Sequence, residues 1–523
     1  MISGSRAAPM VVLYANKITD FQRNPYFFQD GRMSEKPLIL VLGASGYVGT
    51  RLVRTLVQRG WRVRAAGRST EKLKRHAWYG DPGIEVRAVD VLDRSGLEAA
   101  CRGVSAVYYL VHSMEAGRAD FSETERLSAE NMRDAAAAAG VDRIIYLGGL
   151  GEENEDLSPH LKSRRATEKI LQSGRVPVTV LRAAMIIGSG SASFEILRYL
   201  VERLPAMVTP RWVSTESQPI AIGDVLGYLA GCLEKKETSG RIFEIGGAEI
   251  LTYRRLMEIY AEEAGLRKRF VIPVPVLTPR LSSYWIHLVT PIHAAIARPL
   301  ALGLRNRVVC NEQSIRAIVP LPLHGAREAI RLALDQRQHF LRDPADIESL
   351  QPEWVWPGDP SWAGGTVFTD RRVLETEATP AQIWKTLASI GGKNGWYHAN
   401  WLWKLRGFLD RLAGGVGMRR GRRHETEIRN ADTIDFWRVE RADPERRLLL
   451  AAEMKLPGPA VLDFVIEPRA GGARLIQTAR FIPRGLSGIL YWFAVSPFHH
   501  YVFRGMIRGI VRRSLLDPGP ANA

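Results

Sequence analysis

Leu38-Ile39-Leu40-Val41-Leu42-Gly43-Ala44-Ser45-Gly46-Tyr47-Val48-Gly49-Thr50-Arg51-Leu52-Val53 decides how the chain is read. Five consecutive apolar residues predict a parallel strand buried on both faces. Three glycines follow, spaced Gly43-x-x-Gly46-x-x-Gly49, and then Leu52, Val53, Leu56 and Val57 recur at helical spacing up to Gly60. Strand, glycine turn and helix in that order open a dinucleotide-binding βαβ unit. Gly43 lets the chain leave the strand tightly. Gly46 lets backbone approach a pyrophosphate, Gly49 lets the helix pack against the strand, and the helix N-terminus faces the phosphate charge.

Downstream, the pattern of strands alternating with helices continues. Trp61–Arg68 reads as the second strand, Ile84–Val91 as the third, Val104–Val111 as the fourth, Arg143–Gly149 as the fifth and Pro177–Arg182 as the sixth. Alternation at this spacing predicts an α/β fold with a doubly wound parallel Rossmann sheet. NAD sites place an acid at the end of the second strand to hold the ribose hydroxyls. Here that end carries Arg68, with Lys72 one turn on and no acid before Glu71. A cation there suits the 2′-phosphate, so the expected cofactor is NADP rather than NAD. The residues expected to meet it are Gly43, Ser45, Gly46, Tyr47, Val48, Gly49, Arg68, Asp90, Val91 and Leu110. Gly188-Ser189-Gly190-Ser191-Ala192-Ser193-Phe194-Glu195 reads as a mobile loop over the cofactor.

Composition narrows the rest. The chain has 523 residues and a formal net charge of +17, which favours anionic partners without choosing among them. No basic run interleaved with aromatics forms a nucleic-acid platform. Three distant cysteines, Cys101, Cys232 and Cys310, make neither a disulfide framework nor a metal set, and fit a reducing cytoplasm. His287 and His293 are six apart, the wrong spacing for two ligands on one helix face, so no metal is assigned. The apolar stretch from Gly485 to Phe503 carries Pro497, His499 and His500, and reads as a buried or surface-lying helix rather than a membrane span.

These signals divide the chain. Residues 1–35 read as an extraneous or disordered extension, with Met33 the expected natural start. Residues 36–265 are the NAD(P)-binding domain, 266–341 a helical extension on the substrate side, 342–366 a proline- and glycine-rich linker, and 367–516 a second domain. In the second domain, strands are expected at Val367–Glu377, Arg422–Arg429, Thr433–Glu440, Arg447–Met454, Ala460–Glu467 and Ala473–Ile482. A helix starts at Thr379-Pro380, and a long one runs from Ser496 to Ser514. Nine of the 13 tryptophans lie after residue 350, where they either line a pocket or pack the core. From residue 370 onward there are 25 Lys+Arg against 15 Asp+Glu. This basic balance beside apolar helices fits either contact with anionic lipid or a solvated face.

Gly43–Gly49, Val89-Asp90-Val91-Leu92-Asp93 and Leu181-Arg182-Ala183-Ala184-Met185-Ile186-Ile187-Gly188 resemble the atypical, NmrA-like branch of the short-chain dehydrogenase/reductase superfamily. Gln218–Val225 and Gly240–Gly247 fit its later segments. The resemblance implies an NADP(H)-binding oxidoreductase or isomerase. Active members use a Tyr-x-x-x-Lys helix and a preceding serine. By register, His160 stands at the tyrosine position and Arg164 at the lysine position, and glycine stands at the serine position in Gly148-Gly149. His160 either donates a proton near neutral pH or is a histidine at a helix start with no chemistry, and Arg164 suits a ribose hydroxyl or a phosphate. The second domain resembles the α+β helix-grip fold of the START/polyketide-cyclase-like superfamily, which implies a hydrophobic or lipid-like ligand. Two functions stay open. One is an NADP-dependent enzyme with a degenerate catalytic motif. The other is a non-catalytic NADP(H)-binding sensor or scaffold at membrane or respiratory assemblies. Either is expected in the cytoplasm, with peripheral contact at the inner face of the membrane allowed.

Overall fold

A computed structural model describes residues 36–111, 121–151, 157–274, 290, 300, 303–342, 366–418 and 422–516. Met33 and the expected extension, His287, His293 and nearly all of the linker lie outside the described residues.

The apolar runs form strands β1 (Leu38–Leu42), β2 (Arg62–Gly67), β3 (Ile84–Ala88), β4 (Val104–Tyr109), β5 (Arg143–Gly149), β6 (Val178–Ala183) and β7 (Ile242–Ile245). They make one sheet in the order β7-β6-β5-β4-β1-β2-β3, and every pairing is parallel. Successive residues of β1 feed opposite faces. Ile39 and Val41 pack with the helices Tyr47–Gln58 and Ile222–Glu234. Leu40 and Leu42 pack with Arg94–Cys101, Phe121–Ala138 and Pro159–Gln172. Both faces are covered, which is why β1 reads as an uninterrupted apolar run. The strand order reverses between β1 and β4, and ligands of such sheets bind outside the carboxyl ends of the strands at that point.

The glycine- and serine-rich stretch after β6 is a short tied turn, not the mobile loop expected of it. Gly190 N–H donates to Glu195 Oε1 at 2.9 Å, and Ser191 Oγ donates to the Ile186 carbonyl at 2.9 Å. Glu195 also accepts from Arg198 Nε at 2.6 Å, and both side chains are buried. The helix Ala192–Arg203 is buried on nearly all sides, among Leu256, Tyr260, Ile330 and their neighbours. Its residues are committed to packing, which removes the freedom that the Gly/Ser composition suggested.

The second domain is an antiparallel sheet of β8 (Phe368–Thr376), β9 (Thr433–Ile434), β10 (Trp437–Asp443), β11 (Arg447–Ala452), β12 (Ala460–Arg469) and β13 (Gly472–Phe481), ordered β8-β13-β12-β11-β10-β9. Thr379 and Gln382 form a reciprocal capping box at the start of Pro380–Ala388. A helix of 32 residues, Gly485–Leu516, closes one face of the sheet. It joins into one element the helix expected over Gly485–Phe503 and the one expected from Ser496, and Trp492 in its first half stacks at 5.0 Å on Phe368 of β8 and at 6.0 Å on Phe481 of β13. Arg422–Arg429 forms no strand. The Arg422 guanidinium donates to the carbonyls of Ala388, Ile390 and Glu427, so the segment is held by a side chain instead of a ladder. The expected Thr433–Glu440 strand is folded back on itself at Asp435, whose φ is +55°.

Trp396, Trp403 and Trp437 fill the core, whereas Trp401 is exposed. Trp396 stacks on Trp403 at 4.8 Å and meets Trp437 at 6.1 Å, with Phe436 between them. Trp396 Nε1 donates to the buried Asp435 carboxylate at 2.9 Å. Under the terminal helix, burial and the nearby Arg406 and Arg372 push His499 down to about 3. The native state therefore stays neutral where the unfolded chain takes up a proton. Stability is full above the ordinary histidine range near 6.5 and is lost as pH falls from there towards 3. The expected slope is at most about 1.4 kcal/mol per pH unit for one histidine. Urea melts at pH 7 and pH 5 check this, and His499→Gln should flatten the difference.

Candidate functional site

The glycine turn has the geometry that its spacing predicts. Gly43 has φ +83°, and a Cβ there would lie 2.7 Å from the Leu110 carbonyl oxygen, so the ends of β1 and β4 meet at this residue. A Cβ on Gly49 would lie 2.1 Å from the Gly43 oxygen, so only glycine lets the helix seat against the turn. Gly46 differs from both. It is exposed, and a Cβ there meets nothing closer than 3.3 Å. Its lack of a side chain leaves space on the outer side, at the start of the helix. No side chain caps that helix and no acid stands in its first turn. Uncapped N–H groups and the positive end of the helix dipole suit an anion.

The other expected cofactor residues line up along the same edge. Ser45 Oγ lies against Gly67 at the end of β2, 3.4 Å from where a Cβ on that glycine would stand. Exposed Arg68 follows. Glu71, the first acid after Arg68 in the sequence, pairs with Lys74 at 3.1 Å. β3 stops at Ala88, three residues short of expectation. Asp90 then turns the chain, its carboxylate accepting from Leu92 N–H at 3.0 Å. Asn131, which sequence reasoning passed over in an alanine-rich helix, donates to the Val91 and Leu92 carbonyls, each at 3.2 Å, and fixes that turn. Val91 and Leu110 are buried at the ends of β3 and β4. Gly43–Gly49, Arg68, Asp90, Val91 and Leu110 thus follow β1, β2, β3 and β4, which are neighbours in the sheet.

Tyr47 and Val48 begin the helix. The Tyr47 ring carries the Arg51 guanidinium at 4.1 Å, and its hydroxyl lies 2.2 Å from where a Cβ on Gly188 would stand. Arg51 also donates to the Ser189 carbonyl at 3.2 Å. These contacts fasten the turn after β6 to the cofactor helix, and a side chain at residue 188 would separate them.

His160 and Arg164 share one face of Pro159–Gln172 at i, i+4 spacing. Arg164 Nη1 donates to the Leu147 carbonyl at 3.2 Å, which puts the guanidinium at the end of β5. Its buried Nε–H finds no acceptor among the described residues. That unmet donor fits a hydroxyl or phosphate oxygen, the role expected of Arg164. For His160 the structure decides between the two readings. Burial, with a further push from Arg164, lowers it to about 3, so the ring is neutral throughout the physiological range and is no proton donor of the imidazolium kind. At the serine position, a Cβ on Gly149 would lie 2.7 Å from Leu161 Cδ2, so a side chain there would have to displace the tip of that leucine. At this register the chain thus carries His160 and Arg164 where active carbonyl reductases of the resembled kind carry tyrosine and lysine.

A separate cleft of about 520 Å³ lies behind the cofactor helix, walled by Arg51, Arg54, Trp78, Ile222, His324 and Leu332 among others. It contains none of the expected cofactor residues or of His160 and Arg164. Among the described residues no cluster of three His, Cys, Asp or Glu could hold a metal ion.

Comparison with known proteins agrees with this geometry. Residues 43–199 match a family described as NAD(P)H-binding, and residues 362–506 match a family described as a protein of unknown function, DUF2867. The chain is 26% identical over 253 residues to an Arabidopsis thaliana protein named NADH dehydrogenase [ubiquinone] 1 alpha subcomplex subunit 9, mitochondrial, covering 47% of this chain and 63% of that one. It is 24% identical over 241 residues to Photosystem II assembly factor Ycf39 of Cyanophora paradoxa, covering 46% of this chain and 72% of that one. It is 27% identical over 171 residues to a ceramide reductase of Caulobacter vibrioides, covering 32% of this chain and 53% of that one. The matched region thus spans between about half and three quarters of each relative. The first domain is thus a parallel Rossmann-type sheet whose residues 43–199 match an NAD(P)H-binding family.

Proposed function

We propose that the chain is an NADP(H)-binding protein in which the bound nucleotide serves as a sensor or scaffold element rather than as the reductant of a proton-coupled carbonyl reduction. One observation carries this reading: the position of the catalytic tyrosine holds a histidine kept neutral by burial, beside an arginine tied to the end of β5. Carbonyl reduction needs a proton delivered as hydride arrives, and a neutral imidazole, whose one remaining N–H is far less acidic than an imidazolium, is a poor source of it. The nicotinamide cofactor, when bound, would supply hydride. Gly46 and the helix N-terminus would receive its pyrophosphate, Arg68 the 2′-phosphate, and Arg164 a ribose hydroxyl. Two of the relatives are named as a complex I subunit and a photosystem assembly factor, which fits a structural use of the fold.

Fluorescence titration with NADPH and NADH, followed by an assay of NADPH oxidation with quinones and lipidic carbonyls, tests the proposal. Tight NADPH binding without turnover, unchanged in His160→Ala, is the expected result. Turnover that falls in His160→Ala would overturn it. Arg68→Gln should weaken NADPH by about tenfold to a hundredfold and leave NADH unchanged, because it removes a charge-assisted contact made only to the 2′-phosphate. Equal affinity for both nucleotides in the parent protein would refute the role of Arg68.

A second reading rests on the 27% identity to a ceramide reductase. In it the chain is an oxidoreductase or isomerase on a hydrophobic substrate presented by the second domain. The antiparallel sheet closed by one long helix supports a helix-grip assignment for that domain. The stacking of Trp396, Trp403 and Trp437 in its core argues against their lining a ligand pocket. Turnover with a lipidic carbonyl would favour this second reading. A cytoplasmic location, supported by three free cysteines, is common to both.

A further inference from the structure

Two helices of the second domain present apolar side chains to solvent in a regular pattern. On Asn400–Leu412 the exposed residues are Trp401, Leu405, Phe408 and Leu412, at intervals of four, three and four, with Leu409 beside them. Trp403, Gly407 and Asp410 on the opposite side are buried. The helix is therefore amphipathic twice over, with one apolar face in the core and another in water. On Gly485–Leu516 the exposed large apolar residues up to Tyr501 are Leu486, Leu490, Phe493, Phe498 and Tyr501, with Ser487, Ala494, Pro497 and His500 exposed among them. Their exposures run from 36% to 71%, too high for the fringe of a core. Arg406 Nη2 donates to Tyr491 Oη, and the His398 and Tyr501 rings lie 4.8 Å apart, so the two helices are neighbours and their stripes share one region of surface.

Charge identifies the occupant. The helix Gly485–Leu516 contains no acidic residue. Beyond Tyr501 its exposed side continues as Arg504, Arg508 and Arg512, so one face passes from apolar to cationic along its length. On Asn400–Leu412 the exposed cations Lys404 and Arg411 flank the apolar stripe. The one acid of that helix, Asp410, is buried, accepting from Gly417 and Lys455 N–H at 2.7 Å each. Exposed Trp, Phe, Tyr and Leu bracketed by Lys and Arg, with no exposed carboxylate on either helix, is the pattern of a helix that lies in a bilayer interface. Among the described residues no helix is long and apolar enough to cross a membrane.

We propose that this face is a monotopic docking surface for an anionic phospholipid bilayer, with Asn400–Leu412 and the first half of Gly485–Leu516 lying along the interface and Arg504, Arg508 and Arg512 meeting headgroup phosphates. The assignment is independent of whether the first domain turns over its cofactor.

Flotation of the full chain with vesicles of phosphatidylcholine and phosphatidylglycerol, against vesicles of phosphatidylcholine alone, is the test. The expected result is binding to the anionic vesicles that weakens with added salt. Arg508→Glu combined with Arg512→Glu should reduce it by about 30-fold or more, from about 1 kcal/mol per near-surface cation. Leu412→Glu combined with Leu490→Glu should reduce it by at least about tenfold, from lost apolar contact. Both pairs alter exposed side chains, so unchanged NADPH titration and thermal melts verify folding. Two results would overturn the proposal. One is no binding to anionic vesicles. The other is a dimer in solution that Leu412→Glu with Leu490→Glu dissociates while vesicle binding is unaffected, which would give the face to a second copy of the chain.

Discussion

Gly46→Val is expected to lose NADPH affinity by roughly a hundredfold or more while melting within a few degrees of the parent. Gly49→Ala should do the opposite, destabilising the first domain by about 3 kcal/mol or more before any effect on the cofactor can be read. The contrast follows from what each added Cβ meets. At residue 49 it lies 2.1 Å from the Gly43 carbonyl oxygen, a backbone atom that cannot yield without shifting β1. At residue 46 the nearest atom is 3.3 Å away and the backbone has φ −87° and ψ 170°, which any residue adopts. A β-branched side chain there costs only the modest penalty of a poor helix cap. Its bulk points instead into the space where a pyrophosphate would meet the helix N-terminus. Thermal melts paired with NADPH fluorescence titration check both variants. If Gly46→Val binds NADPH like the parent, the nucleotide does not lie at this turn.

Glu168→Ala carries the other large expected effect, a loss of about 3–5 kcal/mol in the stability of the first domain. Glu168 is 3% exposed and accepts from Arg182 at 2.6 and 3.1 Å and from Arg165 at 3.4 Å. Arg165 in turn donates to the Gly151 carbonyl at 2.8 Å. Removing the carboxylate leaves two largely buried guanidinium groups without their counter-ion, and neither can deprotonate. Glu168→Gln, which keeps the shape but not the charge, should lose less than Ala. Because Glu168 shares a helix with Arg164, loosening it should also weaken NADPH binding. Chemical denaturation measures the first effect and titration at a temperature where the variant is folded measures the second. A loss below about 1 kcal/mol would mean that water satisfies the arginines.

The cofactor edge was legible because its determinants are local. Gly43, Gly46 and Gly49 act within seven residues, and Arg68 follows from counting to the end of the second strand. The choice between the two readings of His160 was not legible, because an ordinary histidine titrates near neutrality and only packing reveals otherwise. The loop after β6 was misread because glycine and serine permit mobility without requiring it. What ties it is Glu195, a residue of the following helix. The helix Asn400–Leu412 was missed because apolar residues occupy two of its faces, which blurs the period that marks an amphipathic helix.

By itself, the sequence determined the parallel sheet, the glycine turn that leaves its first strand, and the absence of the Tyr-x-x-x-Lys pair, all consequences of short-range spacing and backbone sterics. The tertiary structure alone decided that His160 is neutral, that Trp396, Trp403 and Trp437 are core, that Glu168 holds two arginines, and that an apolar and cationic face of the second domain stands in water. Each of these depends on which distant residues exclude solvent, and burial is not a property of any stretch of chain taken alone.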